Sequence, residues 1–310
     1  MTFGLQIDER AAMAVMDRAA EGGVTFLDTA DAYPLGGGVD LVGATEEIVG
    51  RWLKGKRQHF VLATKVYGRT GPQAWDAGNS RRHIMDAIDA SLRRLGTDYI
   101  DLYQLHADDP ETPMDETLHA LDDVLRAGKV RYVGCSNFLA YRLARAVGRS
   151  EMLGLARFES VQPRYNLLFR EFERELFPLC LEEGVGVIPY NPLAGGMLSG
   201  KHTRGQAPAE GTRFTIPNAG AMYQERYWHQ REFDTVDAFQ QIAKKAGLKP
   251  ATLAVAWVLA QPAVTAPILG ASRPDQLDDT LAAVEVKLED DLLHELDELT
   301  REFRRGDAAR

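Results

Sequence analysis

The chain has 310 residues, of which 45% are hydrophobic, and a formal net charge of −9. This length is enough to bury one large core or two small ones. The negative charge argues against nonspecific binding to nucleic acid, although a local basic pocket could still hold a phosphate. Its two cysteines, Cys135 and Cys180, lie far apart without the paired spacing of a zinc site, so neither a disulfide framework nor a metal centre is indicated.

No apolar stretch approaches the roughly 20 residues that cross a bilayer. The N-terminal residues MTFGLQIDER lack the basic and apolar regions of a signal peptide. We therefore expect a cytoplasmic protein without a membrane or nucleic-acid partner. A small molecule is the expected ligand, and a homo-oligomer is left open.

Short β-branched runs alternate with longer amphipathic segments along the whole chain, beginning with a helix over residues 7–23. Glycines stand where several of these helices should end, at Gly22, Gly96, Gly128, Gly184 and Gly247. The predicted strands lie within residues 23–30, 59–66, 98–106, 129–137, 157–165, 184–192 and 263–272, and further helices within 81–96, 114–129, 172–184 and 236–247.

Strand and helix repeated in this way predict an α/β fold with a parallel sheet. Because the composition shows no break, we expect one closed (β/α)8 TIM barrel domain over residues 1–310. The alternative is a doubly wound sheet with a second domain. The absence of a GxGxxG phrase after the first run weakens that alternative.

Reactive groups of such barrels sit at the C-terminal ends of the strands. Asp28, Lys65 and His106 stand at such ends, and Tyr33 follows the first of them. Each residue alone could be structural, as a helix cap, a solvated strand end or a core histidine. For the whole set this interpretation is weaker, because a buried unpaired charge is strongly destabilising.

A carboxylate, a phenol, an amine and an imidazole at one mouth suit proton chemistry on a carbonyl. A free tyrosine, with a pKa of about 10, is a poor acid, but an adjacent ammonium stabilises its phenolate. Lys65 could supply that charge, Asp28 could hold it, and His106 could hydrogen-bond the carbonyl oxygen. None of the four is a hydride source, so a carbonyl reductase built on them needs a nicotinamide.

Phrases along nearly the whole chain resemble those of the aldo-keto reductase superfamily. The resemblance implies a bacterial-type, NADPH-dependent enzyme, related to channel β-subunit-like members, that reduces an aldehyde or ketone. It implies Tyr33 as general acid, Lys65 and Asp28 as its tuning pair, and His106 as the group that orients the carbonyl. The phrases are GVTFLDTADAY (23–33), LATKV (62–66), DYIDLYQLH (98–106), GKVRYVGCSNF (128–138), QPRYNLL (162–168), PYNPLAGGMLSGK (189–201) and ILGASRPDQL (268–277).

The resemblance also implies cofactor contacts. Ser136, Asn137 and Gln162 would hold the nicotinamide carboxamide, and Tyr190 would stack on the ring. Gln6 falls where similar chains place another contact. The residues implied along the pyrophosphate are Asn191, Leu193, Gly195, Lys201 and Arg213.

The segment GASRPDQLDDT (270–280) is typical of a helix start. Ser272 suits the N-cap, Pro274 the first turn and Asp275 the capping-box position. A helix N-terminus is also a natural phosphate site.

In similar chains the 2′-phosphate of NADP lies at this segment, beside Ser272 and Arg273, so NADPH is expected in preference to NADH. Thr280 replaces an asparagine that usually contacts the adenine, and the acid before it is the shorter Asp279. We therefore expect looser adenine binding. The cofactor residues implied here are Gly270, Ser272, Arg273, Gln276, Asp279 and Thr280.

Relatives generally carry an N-terminal hairpin and a first barrel strand before the helix that here occupies residues 7–23. We expect the hairpin and most of that strand to be absent, which would leave the runs at 24–28 and 264–269 with unpaired backbone groups. Three explanations remain: a natural start codon upstream, which we favour, a true truncation, or compensation by another subunit.

Long loops would set the substrate, and Trp75, Tyr223, Tyr227 and Trp228 could wall a pocket for an aromatic or sugar-like carbonyl. Aromatics in long loops also simply anchor the loop. The alternative function is a cofactor-binding regulatory subunit of the channel β-subunit type, whose members tend to replace the histidine that is His106 here. A metal-dependent hydrolase would need several metal ligands at strand ends, and His106 is the only histidine at one.

Overall fold

The computed structural model describes residues 1–305, and the chain divides into two compact units. The first is Met1–Gln162, and the second begins at Pro163. Strands and helices alternate through the first unit, as the sequence pattern predicts. Its elements are α1 (Glu9–Glu21), β1 (Phe26–Asp28), α2 (Ala44–Leu53), β2 (Val61–Val66), α3 (Arg81–Leu95), β3 (Ile100–Leu105), α4 (Met114–Arg126), β4 (Val130–Ser136), α5 (Ala140–Leu153) and β5 (Phe158–Gln162).

The five strands of the first unit form a parallel sheet in sequence order, from β1 to β5. Lys65 of β2 lies in register with Gln104 of β3, and Ser136 of β4 with Gln162 of β5. Parallel strands end at the same edge of a sheet, so the polar residues at their C-terminal ends collect there. The predicted α/β fold with a parallel sheet is confirmed.

The helices of the first unit begin and end where local chemistry favours it. The Ser80 hydroxyl caps α3 by accepting the backbone N–H of His83, and Gly96 ends the helix in the left-handed region at φ 63°. Gly22 follows α1 at φ −80°, and the left-handed position is Gly23 at φ 83°. The predicted glycine stop for α1 is therefore displaced by one residue.

Apolar stripes of α3 and α4 build the core of the first unit. Ile84, Ile88, Leu118 and Leu121 are each at most 1% exposed. Full burial of one such side chain stabilises a fold by about 1.5–3 kcal/mol. These contacts hold the helices in place.

The N-terminal residues pack on the first unit through backbone groups. The Leu35 N–H donates to the Met1 carbonyl at 2.9 Å, and the Thr45 hydroxyl donates to the Phe3 carbonyl at 2.8 Å. Phe3 and Ile7 form an isolated bridge before α1.

The second unit is mostly helical within the part of the chain that the structure describes. The predicted strand over 263–272 is wrong: its residues make only isolated parallel bridges, from Val264 to Val187 and from Ile268 to Tyr190. Pro267 interrupts this run, and a proline has no N–H for a ladder. The elements are α6 (Leu176–Glu183), β6 (Gly186–Val187), α7 (Gly220–Tyr227), α8 (Gln230–Lys245), α9 (Pro250–Leu259), α10 (Gln276–Leu281) and α11 (Asp290–Leu299).

Membrane crossing requires a long apolar helix. Within residues 1–305, none of the helices has both the length and the apolar character that this needs.

Candidate active site

A buried ion pair lies at the C-terminal edge of the sheet. The side chain of Lys65 in β2 is 0% exposed, and its ammonium lies 2.5 Å from Oδ2 of Asp28, the last residue of β1. The ammonium also donates to the carbonyl oxygen of Thr29 at 2.8 Å. A buried charge needs such partners because its removal from water is costly. The charges of Asp28 and Lys65, at the ends of adjacent strands, therefore compensate each other in the buried site.

Tyr33 and His106 lie beside this pair. Their ring centroids are 5.5 Å apart with an interplanar angle of 76°, and Lys65 Nζ lies 5.5 Å from the centroid of the tyrosine ring. The first unit thus brings together all four residues that the sequence predicted from separate strand ends.

His106 carries a neutral imidazole. Burial, together with the Lys65 ammonium, lowers its pKa to about 3. A neutral imidazole has one N–H to donate. Next to Tyr33, that donor suits a carbonyl oxygen on which negative charge develops.

Asp28 has a second set of donors on its other oxygen. Oδ1 accepts from Nε2 of Gln104 at 3.1 Å and from Nε2 of Gln162 at 2.9 Å. Gln104 was not among the predicted site residues. Strand alternation could have found it, because it stands two residues before His106 and so belongs to the same face of β3.

The three residues expected at the carboxamide are neighbours. The Ser136 hydroxyl donates to the Gln162 carbonyl at 2.7 Å, and Asn137 Nδ2 donates to the His106 carbonyl at 2.8 Å and to Ser136 Oγ at 3.1 Å. Asn137 has φ 58°, in a region that asparagine tolerates. Gln6 lies elsewhere in the first unit, in the turn before α1, where its side-chain oxygen accepts from the Thr2 hydroxyl at 3.1 Å.

In the second unit, the predicted pyrophosphate segment is a tight turn. Asn191 has φ 67°, and its Oδ1 accepts the Gly195 N–H at 2.6 Å. Gly196, at φ 105°, donates its N–H to the Leu193 carbonyl at 2.8 Å. Tyr190 precedes the turn, and burial raises the pKa of its phenol. The turn is locked by its own hydrogen bonds.

Basic side chains border this turn. A Cβ built on Gly196 would lie 3.2 Å from Lys201 Nζ, so the absent side chain leaves room for the ammonium. Burial lowers the Lys201 pKa, and the charges of Arg213 and Arg273 lower it further. Arg213 Nη1 is buried and makes no hydrogen bond to residues 1–305. Cations held together with an unsatisfied donor fit a phosphate.

His202, which the sequence analysis did not single out, adjoins these cations. Burial, together with the charge of Lys201, lowers its pKa to about 4. Its Nε2 is buried without a hydrogen bond to the described residues. Its ring meets Phe214 and Trp228 edge-on at 4.9 and 5.1 Å. The sequence signal that could have pointed to His202 is its position directly after Lys201, a predicted cofactor residue.

The aromatic residues proposed for a substrate pocket have different surroundings. Tyr223 is 4% exposed and Tyr227 0%, so both are packed in the second unit, where they anchor the loop. Trp75 is 44% exposed, with the Arg82 guanidinium 4.3 Å from its ring centroid.

The segment expected at the 2′-phosphate folds differently from the prediction. Helix α10 begins at Gln276, with Asp275 at the N-cap position, so the predicted cap by Ser272 is wrong. Ser272 instead donates its N–H and hydroxyl to Gln276 Oε1, at 2.9 and 3.2 Å. Because Ser272 donates to the side chain of Gln276, a turn that includes Pro274 precedes the helix, and the helix begins four residues after Ser272.

Three of the remaining predicted residues of this segment make ion pairs or hydrogen bonds within the second unit, and the fourth, Gly270, has free space where a side chain would be. The Arg273 guanidinium lies 3.2 Å from the Asp275 carboxylate, and Gly270 has open space around it. Asp279 pairs with Lys249 at 2.6 Å. The buried Thr280 hydroxyl donates to the carbonyl of residue 277 at 3.1 Å.

Known proteins are similar to this chain over most of its length. The model of the aldo/keto reductase family matches residues 1–301. An uncharacterized oxidoreductase, YrpG of Bacillus subtilis, is 38% identical over 307 residues, covering 96% of this chain and 90% of the relative. The versiconal hemiacetal acetate reductase of Aspergillus parasiticus is 35% identical, covering 95% and 88%. A probable voltage-gated potassium channel subunit beta of Arabidopsis thaliana is 34% identical, covering 92% and 85%. The chain belongs to the aldo/keto reductase family.

Proposed function

We propose that the chain is an NADPH-dependent aldo-keto reductase, an alcohol:NADP+ oxidoreductase that reduces an aldehyde or ketone to the alcohol. The observation that carries the proposal is the buried Asp28–Lys65 pair beside Tyr33 and His106. The family match and the oxidoreductase names of relatives support it. The same family match supports the proposal that the chain forms a single (β/α)8 barrel domain.

Tyr33 would act as the general acid. Its phenol donates a proton to the substrate carbonyl oxygen, and the Lys65 ammonium stabilises the phenolate that remains. Asp28 keeps that ammonium charged and in place. His106, neutral because burial and the Lys65 charge lower its pKa to about 3, donates a hydrogen bond to the same oxygen. When bound, a nicotinamide supplies the hydride that adds to the carbonyl carbon.

We assign the cofactor contacts by unit. In the first unit, Ser136, Asn137 and Gln162 would hold the carboxamide, which matches the donors and acceptors of their linked side chains. In the second unit, Lys201 and Arg213 would hold phosphate. Their support is the unsatisfied Arg213 nitrogen and the absence of a carboxylate ion pair to either residue within residues 1–305.

The remaining assignments complete the cofactor contacts. Tyr190 would stack on the nicotinamide, Gln6 would add a contact, and the turn with Asn191, Leu193 and Gly195 would lie along the pyrophosphate. Arg273 would leave Asp275 to meet the 2′-phosphate. Gly270, Ser272, Gln276, Asp279 and Thr280 would surround the adenosine end of the cofactor.

A regulatory subunit of the channel β-subunit type is the second candidate. A plant channel subunit beta is 34% identical to the chain, which favours it. Such a subunit would bind NADPH with weak turnover or none. The presence of His106 beside Tyr33 favours the enzyme.

The test is a panel of aldehydes, ketones and sugars, including aromatic ones, followed by NADPH absorbance. Tyr33→Phe should lower kcat by at least about a hundredfold, because general acid catalysis contributes about 10²–10⁴-fold. NADPH binding, measured by fluorescence quenching, should stay unchanged. Tyr141→Phe, at a side chain 66% exposed, is the matched control and should keep full activity. Undiminished turnover in Tyr33→Phe would exclude the proposed acid.

A further inference from the structure

The Asp28 carboxylate receives three donors from three strands. Lys65 of β2 binds Oδ2, and the amides of Gln104 in β3 and Gln162 in β5 both bind Oδ1. An ionised carboxylate can only accept, so each amide must turn its NH2 group toward it. Asp28 therefore sets the orientation of both amides.

The two glutamines also meet each other. Gln162 Nε2 lies 3.4 Å from Gln104 Oε1, which is a long hydrogen bond. Strand β4 runs between their strands, and its residue in register with Gln104 is Gly134. A Cβ built on Gly134 would lie 2.6 Å from Ser160 Oγ, so this position must stay without a side chain. The absent side chain thus leaves room for Ser160 of the neighbouring strand β5.

We propose that Gln104 is a positioning residue that couples the nicotinamide site to the proton-donating group by holding Asp28 and the Gln162 amide together. The inference rests on the proposed function, in which Gln162 contacts the carboxamide. The side-chain Nε2 of Gln162 directs its N–H groups at Asp28 and Gln104. Its side-chain oxygen, Oε1, is therefore the atom left to accept the carboxamide NH2 group. Through Asp28, the same contacts hold Lys65 beside Tyr33.

The test substitutes Gln104 with Met, which is similar in length and has no amide. The variant loses the hydrogen bond to the charged Asp28 carboxylate, so kcat should fall about tenfold or more. NADPH affinity should fall about fivefold to tenfold by the same coupling. Affinity for 2′,5′-ADP, which has no nicotinamide, should be unchanged. Because Gln104 does not face the substrate in this assignment, the KM for the aldehyde should also be unchanged.

Tyr103→Phe is the matched control. Tyr103 is the neighbour of Gln104 in β3, is 0% exposed, and its hydroxyl makes no hydrogen bond to the described residues. Its removal should alter neither kcat nor NADPH affinity. If Tyr103→Phe reproduced the losses of Gln104→Met, the effect would be one of strand packing and the coupling would be refuted.

A second variant keeps the proposal testable if Gln104→Met does not fold. Gln104→Leu has no donor for Asp28 at any pH, so the same losses are expected. Wild-type kcat and NADPH affinity in either folded variant overturn the proposal, as does an equal loss of 2′,5′-ADP affinity. The proposed function fails separately, if the wild-type protein turns over no carbonyl. The comparison of NADPH with 2′,5′-ADP then still tests the Gln104–Gln162 link.

Discussion

Arg213 has a buried nitrogen, Nη1, without a hydrogen bond to residues 1–305. A buried unsatisfied donor is unfavourable by about 1–3 kcal/mol. Such a donor near Lys201, whose pKa is lowered by burial and by neighbouring arginines, is stabilised when an anion arrives. At the scale of single residues, the Arg213 guanidinium and the Lys201 ammonium thus offer the charge and the donor that a phosphate group would need.

Substitution of Arg213 by Met should therefore weaken NADPH and NADH alike, by about tenfold to a hundredfold, because a charge-assisted hydrogen bond contributes about 1.5–3 kcal/mol. Titration of intrinsic fluorescence with each cofactor measures this. Arg204→Met is the control: Arg204 pairs with Asp234 and Asp237 at 2.6 Å and should not affect either cofactor. An unchanged affinity in Arg213→Met would contradict the phosphate assignment.

Arg273 allows a sharper distinction between the two cofactors. If it meets the 2′-phosphate, Arg273→Ala should weaken NADPH about tenfold or more and leave NADH within about twofold. The same titrations give both values. Equal losses for the two cofactors would remove the 2′-phosphate assignment.

At the scale of elements, α2 and α3 approach closely at one glycine. A Cβ built on Gly50 in α2 would lie 2.5 Å from the Arg94 carbonyl oxygen and 2.8 Å from backbone atoms of Leu95. Backbone atoms cannot move aside as a side-chain end can. In α5, by contrast, a Cβ on Gly148 would have nothing within 4 Å.

These two glycines predict opposite effects of one substitution. Alanine is favoured over glycine inside a helix by about 0.8–1 kcal/mol, so Gly148→Ala should raise the free energy of unfolding by up to that amount. Gly50→Ala should lower it by about 1–3 kcal/mol, because overpacking separates the helices. Urea unfolding followed by circular dichroism compares them. A stabilised Gly50→Ala protein would show that the two helices separate easily.

At the scale of the whole molecule, buried titratable groups set the response to acid. Burial lowers the pKa of His83, His106 and His202, so the folded state binds fewer protons there than the unfolded state does near pH 6. Their contribution to stability is complete above pH 6.5 and is lost as the pH falls toward their folded values. Asp31 acts in the opposite sense, since burial raises its pKa and the charge of Glu46 raises it further.

Three histidines outweigh one carboxyl between pH 7 and 5, so the free energy of unfolding should fall as the pH is lowered through this range. Urea unfolding at several pH values measures the slope. His202→Gln should make the slope shallower, because it removes one of the three groups whose pKa burial lowers. Stability that rises from pH 7 to 5 would contradict this account.

The alternation of strands and helices is legible in the sequence because side-chain periodicity is local. It predicted the strands of the first unit, the parallel sheet, and the positions of Asp28, Lys65 and His106 at strand ends. Tyr33 lies five residues after Asp28, just past the end of the same strand-like run. The four residue types and their places at one edge of a sheet thus needed no knowledge of long-range contacts.

Tertiary structure decided which partner each polar group has. Gln104 reaches Asp28, and Gln162 reaches both of these residues, only through the register of β1 to β5. Similarly, Gln276 takes the donors of Ser272 and shifts the helix start. Such hydrogen bonds depend on atoms brought within about 3 Å by the packing of separate segments, and no local pattern records that distance.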